Sequence, residues 1–117
     1  MPWARIYLLH PVEAAQQEVI QREVGRILLE EMKKEVTKLL VTFHPILGLY
    51  RGGIPSEDAA GIELGYVGRF GLTEKQSVTR RICHYMGECL GLDPQKIYVV
   101  FQEVESANWG RREGNYS

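Results

Sequence analysis

The sequence predicts an α+β fold: two β-α-β units joined into one four-stranded mixed sheet, with two helices on one face. Two segments of helical apolar periodicity, each flanked by short runs of aromatic and β-branched residues, lead to that prediction. The halves, roughly residues 1–56 and 57–117, repeat this order, and each is shorter than most independent domains. Residues 1–117 therefore read as a single domain.

Pro2 to Leu9 is rich in aromatic and aliphatic residues and reads as the first strand. His10-Pro11 ends it, and Pro11 suits the first turn of a helix. From Val12 to about Lys34 the pattern is helical, with Ile20, Val24, Ile27 and Leu28 on one face. Thr37 to His44 is a strand candidate. Pro45 to Pro55 holds Gly48, Gly52 and Gly53 and reads as loop, with a short extended piece at Leu47–Tyr50. Ala59 to Val67 is the next strand, and Gly68 to Leu72 a turn. Thr73-Glu74-Lys75-Gln76 has the form of a capping box. Val78, Ile82, Tyr85, Met86 and Cys89 then mark a helical face, and Gly91 is placed to cap its end. Ile97 to Phe101 is the strongest strand pattern in the chain. The remainder, from Glu103 to Ser117, is polar, with Trp109 and Tyr116 as apolar anchors.

Composition excludes several classes of function. An apolar fraction of 44% argues against a disordered tail, and a formal charge of −1 provides no global basic field for nucleic acid or an anionic membrane. No run approaches the roughly 18 apolar residues of a spanning helix, and the start lacks the pattern of a secretory leader. Cys83 and Cys89 are six apart within one helical pattern, on different faces, and read as thiols in a reducing, cytoplasmic setting. Cys83, His84 and Cys89 lack the spacing and number of a zinc site. The glycines at 61, 65, 68 and 71 precede no G-K-[ST] and suit turns and close packing. Arg80-Arg81 and Arg111-Arg112 read as solvated pairs.

Pro2 is the residue with distinctive chemistry. If the initiator methionine is removed, Pro2 becomes an N-terminal secondary amine. An ordinary α-amino group titrates near ~8, and partial burial beside apolar side chains lowers that value. A neutral amine near pH 7 is suited to proton transfer or to attack on a carbonyl. If Met1 persists, Pro2 is an amide and the residue merely starts a strand.

Pro2 combined with a duplicated β-α-β order resembles the tautomerase superfamily, and most closely its macrophage migration inhibitory factor branch. Gly91-Leu92-Asp93-Pro94-Gln95-Lys96-Ile97-Tyr98-Val99 resembles that branch's I-x-P-D-R-V-Y-I, and Ala107-Asn108-Trp109-Gly110 its A-N-x-G. Val36 to Gly71 matches without a gap, including Pro45 and Gly52-Gly53. Arg69-Phe70-Gly71-Leu72-Thr73-Glu74-Lys75-Gln76 resembles R-S-G-R-T-E-K-Q of the cis-3-chloroacrylic acid dehalogenase branch. There the second arginine falls on Leu72, the first-helix histidine near Leu28 and the tail carboxylate near Arg111. These departures argue against water activation and dehalogenation.

The resemblance implies a homotrimer with sites at subunit boundaries, no cofactor and no metal. It implies that Pro2 is the catalytic base, and that Lys34, or less securely Lys33, pairs with a substrate carboxylate or a developing enolate. Val67 falls where a backbone group holds a substrate oxygen. Arg69 offers a guanidinium that can fork onto a carboxylate, with a solvated turn arginine as the competing reading. Tyr98 matches a tyrosine contributed by the neighbouring subunit, while that branch's asparagine two positions on is Val100. Trp109 and Tyr116 fall at apolar and aromatic pocket positions. The implied activity is a cofactor-independent keto–enol tautomerase acting on a small 2-oxo acid or unsaturated carboxylate. A proline-dependent decarboxylase, a dehalogenase or hydratase, and a non-catalytic binding or signalling protein are the alternatives.

Overall fold

A computed structural model describes residues 2–115. In chain order the elements are β1 (Pro2–Leu8), α1 (Ala14–Met32), β2 (Leu40–Pro45), β3 (Tyr50–Arg51), β4 (Ile54–Pro55), β5 (Ala60–Val67), α2 (Leu72–Leu90), β6 (Ile97–Val104), β7 (Gly110–Arg111) and β8 (Gly114–Asn115). Single 3-10 turns at Pro94–Lys96 and Ser106–Asn108 flank β6.

Each long helix returns its strand parallel to the one before, so β1 pairs parallel with β2 and β5 with β6. The two units meet antiparallel along β1 and β5, giving the sheet order β2-β1-β5-β6. The predicted α+β architecture is therefore the observed one.

Strand alternation decides which face is buried. Ala4, Ile6 and Leu8 of β1 and Ile62 and Leu64 of β5 lie under the helices, each 5% exposed or less. They meet Ile20, Val24, Ile27, Leu28 and Met32 of α1 and Val78, Ile82 and Met86 of α2. Fully burying such a side chain contributes about 1.5–3 kcal/mol. The two helices are also tied through Arg81, which pairs with Glu30 at 2.7 Å and Glu31 at 2.9 Å. Gly87 lets α2 approach the Pro94 turn, where an added Cβ would stand 2.8 Å from the proline ring.

The opposite face carries no helix. It presents Leu40, Tyr98 and Val100, each half exposed or more, around an aromatic and polar cluster. There the Arg5 guanidinium lies 3.7 Å over the Trp3 ring, and Trp3 Nε1 donates to Thr42 Oγ1. Tyr7 stacks on His44 and donates to Glu63 at 2.7 Å. Among the described residues no helix is long and apolar enough to cross a membrane.

Several local expectations are corrected. Pro11 lies in the loop before α1, which begins at Ala14 after an extended Glu13. Helix α1 stops at Met32 because Lys33 turns left-handed, with φ of 56°. Residues 36–39 close a turn through Leu39 N–H and the Val36 carbonyl, which delays β2 to Leu40. The extended piece of the 45–55 loop is not Leu47–Tyr50 but the hairpin of β3 and β4, turning on Gly52 and Gly53. Both glycines have positive φ, 61° and 80°, as a two-residue hairpin turn requires. The capping box does not form: α2 starts one residue before Thr73, with Gly71 as its cap residue and no side-chain cap bond. Gly91 does end α2, and both cysteines are free thiols.

Candidate active site

The antiparallel register places Pro2, buried at the start of β1, directly opposite Tyr66 near the end of β5. Because Tyr66 shares the helix-side parity of Ile62 and Leu64, its ring turns into the core and is 1% exposed. The chain leaves β5 at Val67 and bends at Gly68, whose φ of 114° suits only glycine. The end of α1 comes down on this corner.

The left-handed turn at Lys33 sends the two adjacent lysines different ways. Lys33 is exposed and its Nζ donates back to the Glu30 carbonyl. Lys34 reaches inward, and its Nζ donates to the Val67 carbonyl at 2.5 Å. The same ammonium stands 5.3 Å from the Tyr66 ring and 5.4 Å from Phe70, and burial lowers its pKa from the usual lysine value. No carboxylate of the described residues forms an ion pair with it, so its charge is held by a carbonyl dipole and two ring faces. That leaves the ammonium available to an incoming anion.

Glu103 organises the floor of this corner. Its parity on β6 is that of Ile97, Val99 and Phe101, so its carboxylate turns under the helices. Oε2 accepts from the Phe70 N–H at 2.8 Å and the Tyr66 hydroxyl at 2.9 Å, and pairs with Lys75 at 3.3 Å. The Phe70 N–H bond chiefly lowers its pKa, against the opposing effect of burial. Burial, and then the bond to Glu103, raises the Tyr66 phenol well above its usual value. Glu103 thus ties β5, β6 and the 68–71 turn together.

Arg69 lies on the outer rim. Its guanidinium is 80% exposed and contacts Glu105 at 3.1 Å. Arg69, Glu105, Val67, Gly68 and Glu103 line a cleft of about 290 Å³. On the helix-free face, the Trp109 indole lies against Gly65, where an added Cβ would stand 3.7 Å from the ring, an ordinary contact. It shares a cleft of about 450 Å³ with Trp3, Arg5, Gln102 and Arg111. Pro2 lines neither cleft of the single chain.

The structure thus brings together Pro2, Lys34 and Val67, with Arg69 at their edge and Trp109 across the sheet. It does not bring Tyr98 to them. Tyr98 is opposite Gly61, and Glu103 is opposite Tyr66, the partner of Pro2; five residues of strand, about 17 Å, separate Tyr98 from the level of Pro2. Tyr116 lies outside the described residues. Among the described residues no group of three or more His, Cys, Asp or Glu could hold a metal ion. Tyr66, Phe70, Glu103 and Glu105 were not anticipated. A signal for Glu103 was present: it continues the alternate apolar positions of β6 as a carboxylate.

Solved structures share this architecture along almost the whole chain. Macrophage migration inhibitory factor of Toxoplasma gondii superposes with a TM-score of 0.88 at 16% identity, covering 97% of this chain and 99% of that one. N1, a member of the cis-3-chloroacrylic acid dehalogenase family, gives 0.85 at 12% identity over 98% and 83%. A fused 4-OT protein, described as an asymmetric trimer, gives 0.85 at 9% identity over 97% and 94%. The sequence model of the macrophage migration inhibitory factor family matches residues 1–115, and the chain belongs to that family.

Proposed function

We propose that the protein is a cofactor-independent keto–enol tautomerase acting on a small 2-oxo acid or unsaturated carboxylate, with Pro2 as general base. The observation that carries this reading is the unpaired Lys34 ammonium beside Tyr66, the strand partner of Pro2. Removal of Met1 makes the Pro2 nitrogen a secondary amine, and burial at the strand start disfavours its charged form. The neutral amine takes a proton from the carbon next to the substrate carbonyl. The electron pair moves onto the carbonyl oxygen, and Lys34 stabilises the resulting enolate or pairs with the carboxylate. The same proton is returned to oxygen or carbon, so the reaction balances without a cofactor. Arg69 assists at the rim, Trp109 supplies an apolar wall, and the Val67 backbone orients a substrate oxygen.

The assembly in this proposal is a homotrimer. It covers the half-exposed Leu40, Tyr98 and Val100 of the helix-free face and carries Tyr98 of one copy to the Pro2 end of the next. Trimeric assembly of the fused 4-OT neighbour supports it. Free thiols at Cys83 and Cys89 suit a cytoplasmic setting. Val100 stands where the family resemblance calls for an asparagine, and this favours one second reading, a binding protein with little catalysis.

The test combines intact mass with kinetics. The native chain is expected to lack Met1, to ketonise phenylenolpyruvate and to be labelled at Pro2 by 3-bromopropiolate. Pro2→Ala is expected to lower kcat/KM by about 100-fold or more. A native chain that retains Met1, or a Pro2→Ala rate equal to wild type, rejects the proline base. Binding without turnover selects the second reading.

A further inference from the structure

The β3–β4 hairpin folds back over the start of β6 and encloses a cleft of about 310 Å³, lined by Tyr50, Arg51, Ala60, Lys96 and Tyr98 among others. Its charges are unbalanced. Lys96 is already neutralised by Asp58, at 3.2 Å, and that carboxylate also accepts from Ser56. Among the described residues Arg51 has no such partner. Its Nε donates to the Tyr98 hydroxyl at 3.0 Å, and among the described residues neither terminal guanidinium nitrogen has an acceptor within reach. Nor does the Tyr98 hydroxyl, which accepts from Arg51, have an acceptor for its own proton. Both residues are exposed, so two terminal nitrogens and one phenolic proton face solvent at the mouth of the cleft with no protein acceptor among the described residues.

We propose that Arg51 and Tyr98 form a carboxylate-binding pair that takes the substrate carboxylate. A guanidinium fixed through Nε keeps its outer edge free for the fork that a planar carboxylate fits. The phenol adds a third donor and holds the arginine in place. The volume suits a small acid, and the Tyr50 and Leu49 side of the cleft favours one with an apolar or aromatic body. Tyr98 lies five residues of strand, about 17 Å, from the level of Pro2 in its own chain, so the pair serves a neighbouring copy's Pro2. That last step rests on the tautomerase and trimer reading above; carboxylate binding by the pair does not.

The experiment measures phenylenolpyruvate kinetics and, separately, calorimetric binding of phenylpyruvate to the assembled protein. Arg51→Gln is expected to raise KM and Kd about tenfold, as loss of charged hydrogen bonds does, with kcat within about twofold. Arg51→Lys recovers only part, because an ammonium cannot fork. Tyr98→Phe raises KM as well, and adds little to Arg51→Gln if the two act as a unit. The methyl ester of phenylpyruvate binds wild type and Arg51→Gln alike. Sedimentation of each variant checks that the assembly is intact. An unchanged Kd for phenylpyruvate in intact Arg51→Gln, or no binding by wild type, overturns the pair. A Pro2→Ala variant that keeps the wild-type rate removes the proline mechanism instead, and the binding arm still decides Arg51.

Discussion

The Lys34 ammonium is held on the Val67 carbonyl, 5.3 Å from the ring of Tyr66, with no carboxylate of the described residues paired to it. Burial lowers its pKa, so the folded chain keeps a cation in a place that disfavours the charge. Functional cations stand in this relation to stability: removing them costs activity and spares the fold. Lys34→Met retains the stem and discards the charge. Its kcat/KM for phenylenolpyruvate is expected to fall about 100-fold, while its Tm equals or exceeds that of wild type. A sharp fall in Tm at unchanged kcat/KM would show that the amine is structural.

Glu103 has the opposite character. It accepts from the Phe70 N–H, Tyr66 and Lys75 together, and its pKa is lowered chiefly by the Phe70 N–H. A carboxylate with a depressed folded value stabilises fully above its unfolded value, near ~4.3, and that stabilisation is lost as pH falls through the folded value. Glu103→Gln is thus expected to lower Tm at pH 7. Wild type and variant should converge as the solution is acidified below pH 4. Thermal melts across that range check it, and a gap that stays constant with pH would mean that the charge contributes nothing.

How much of this could be read beforehand follows from distance along the chain. The α+β order was legible because each helix carries its own apolar stripe, such as Ile20, Val24 and Ile27. Pro2 was named from the chemistry of a Met-Pro start and Lys34 from family resemblance, whereas the inward turn of Lys34 and the outward turn of Lys33 depend on the left-handed backbone at Lys33. The Thr73 capping box failed for a tertiary reason. The turn before α2 is held by Glu103, more than thirty residues away, which takes the Phe70 N–H and leaves Gly71 as the cap residue of a helix that begins at Leu72. The Arg51–Tyr98 contact spans 47 residues and depends on where the Gly52-Gly53 turn aims its hairpin. Local pattern carries no information about that direction.

Val100 tests the assembly. It is 50% exposed on the face without helices, opposite Glu63 in the strand register. A carboxylate there would lose its water if a second copy covers the face, at a cost far above that of an exposed charge. Val100→Glu is expected to convert a trimer to monomers in sedimentation velocity. The monomers should lose ketonisation activity while keeping the far-ultraviolet circular dichroism of wild type. Trimers of undiminished stability in this variant would place the interface elsewhere.

Arg69 and Glu105 hold each other at 3.1 Å on the rim, both largely exposed. An ion pair so open to solvent contributes little to stability and weakens with salt. Arg69→Ala should therefore leave Tm nearly unchanged. Its effect should fall on substrate, because a carboxylate entering the 290 Å³ cleft competes with Glu105 for the same guanidinium. We expect KM for a carboxylate substrate to rise several-fold in Arg69→Ala and to fall in Glu105→Gln, where the arginine is released. The difference should shrink at high salt, where the competing pair is screened. Equal KM values across wild type and both variants would make Arg69 a solvated turn residue and leave Lys34 as the cation of this corner that meets the substrate.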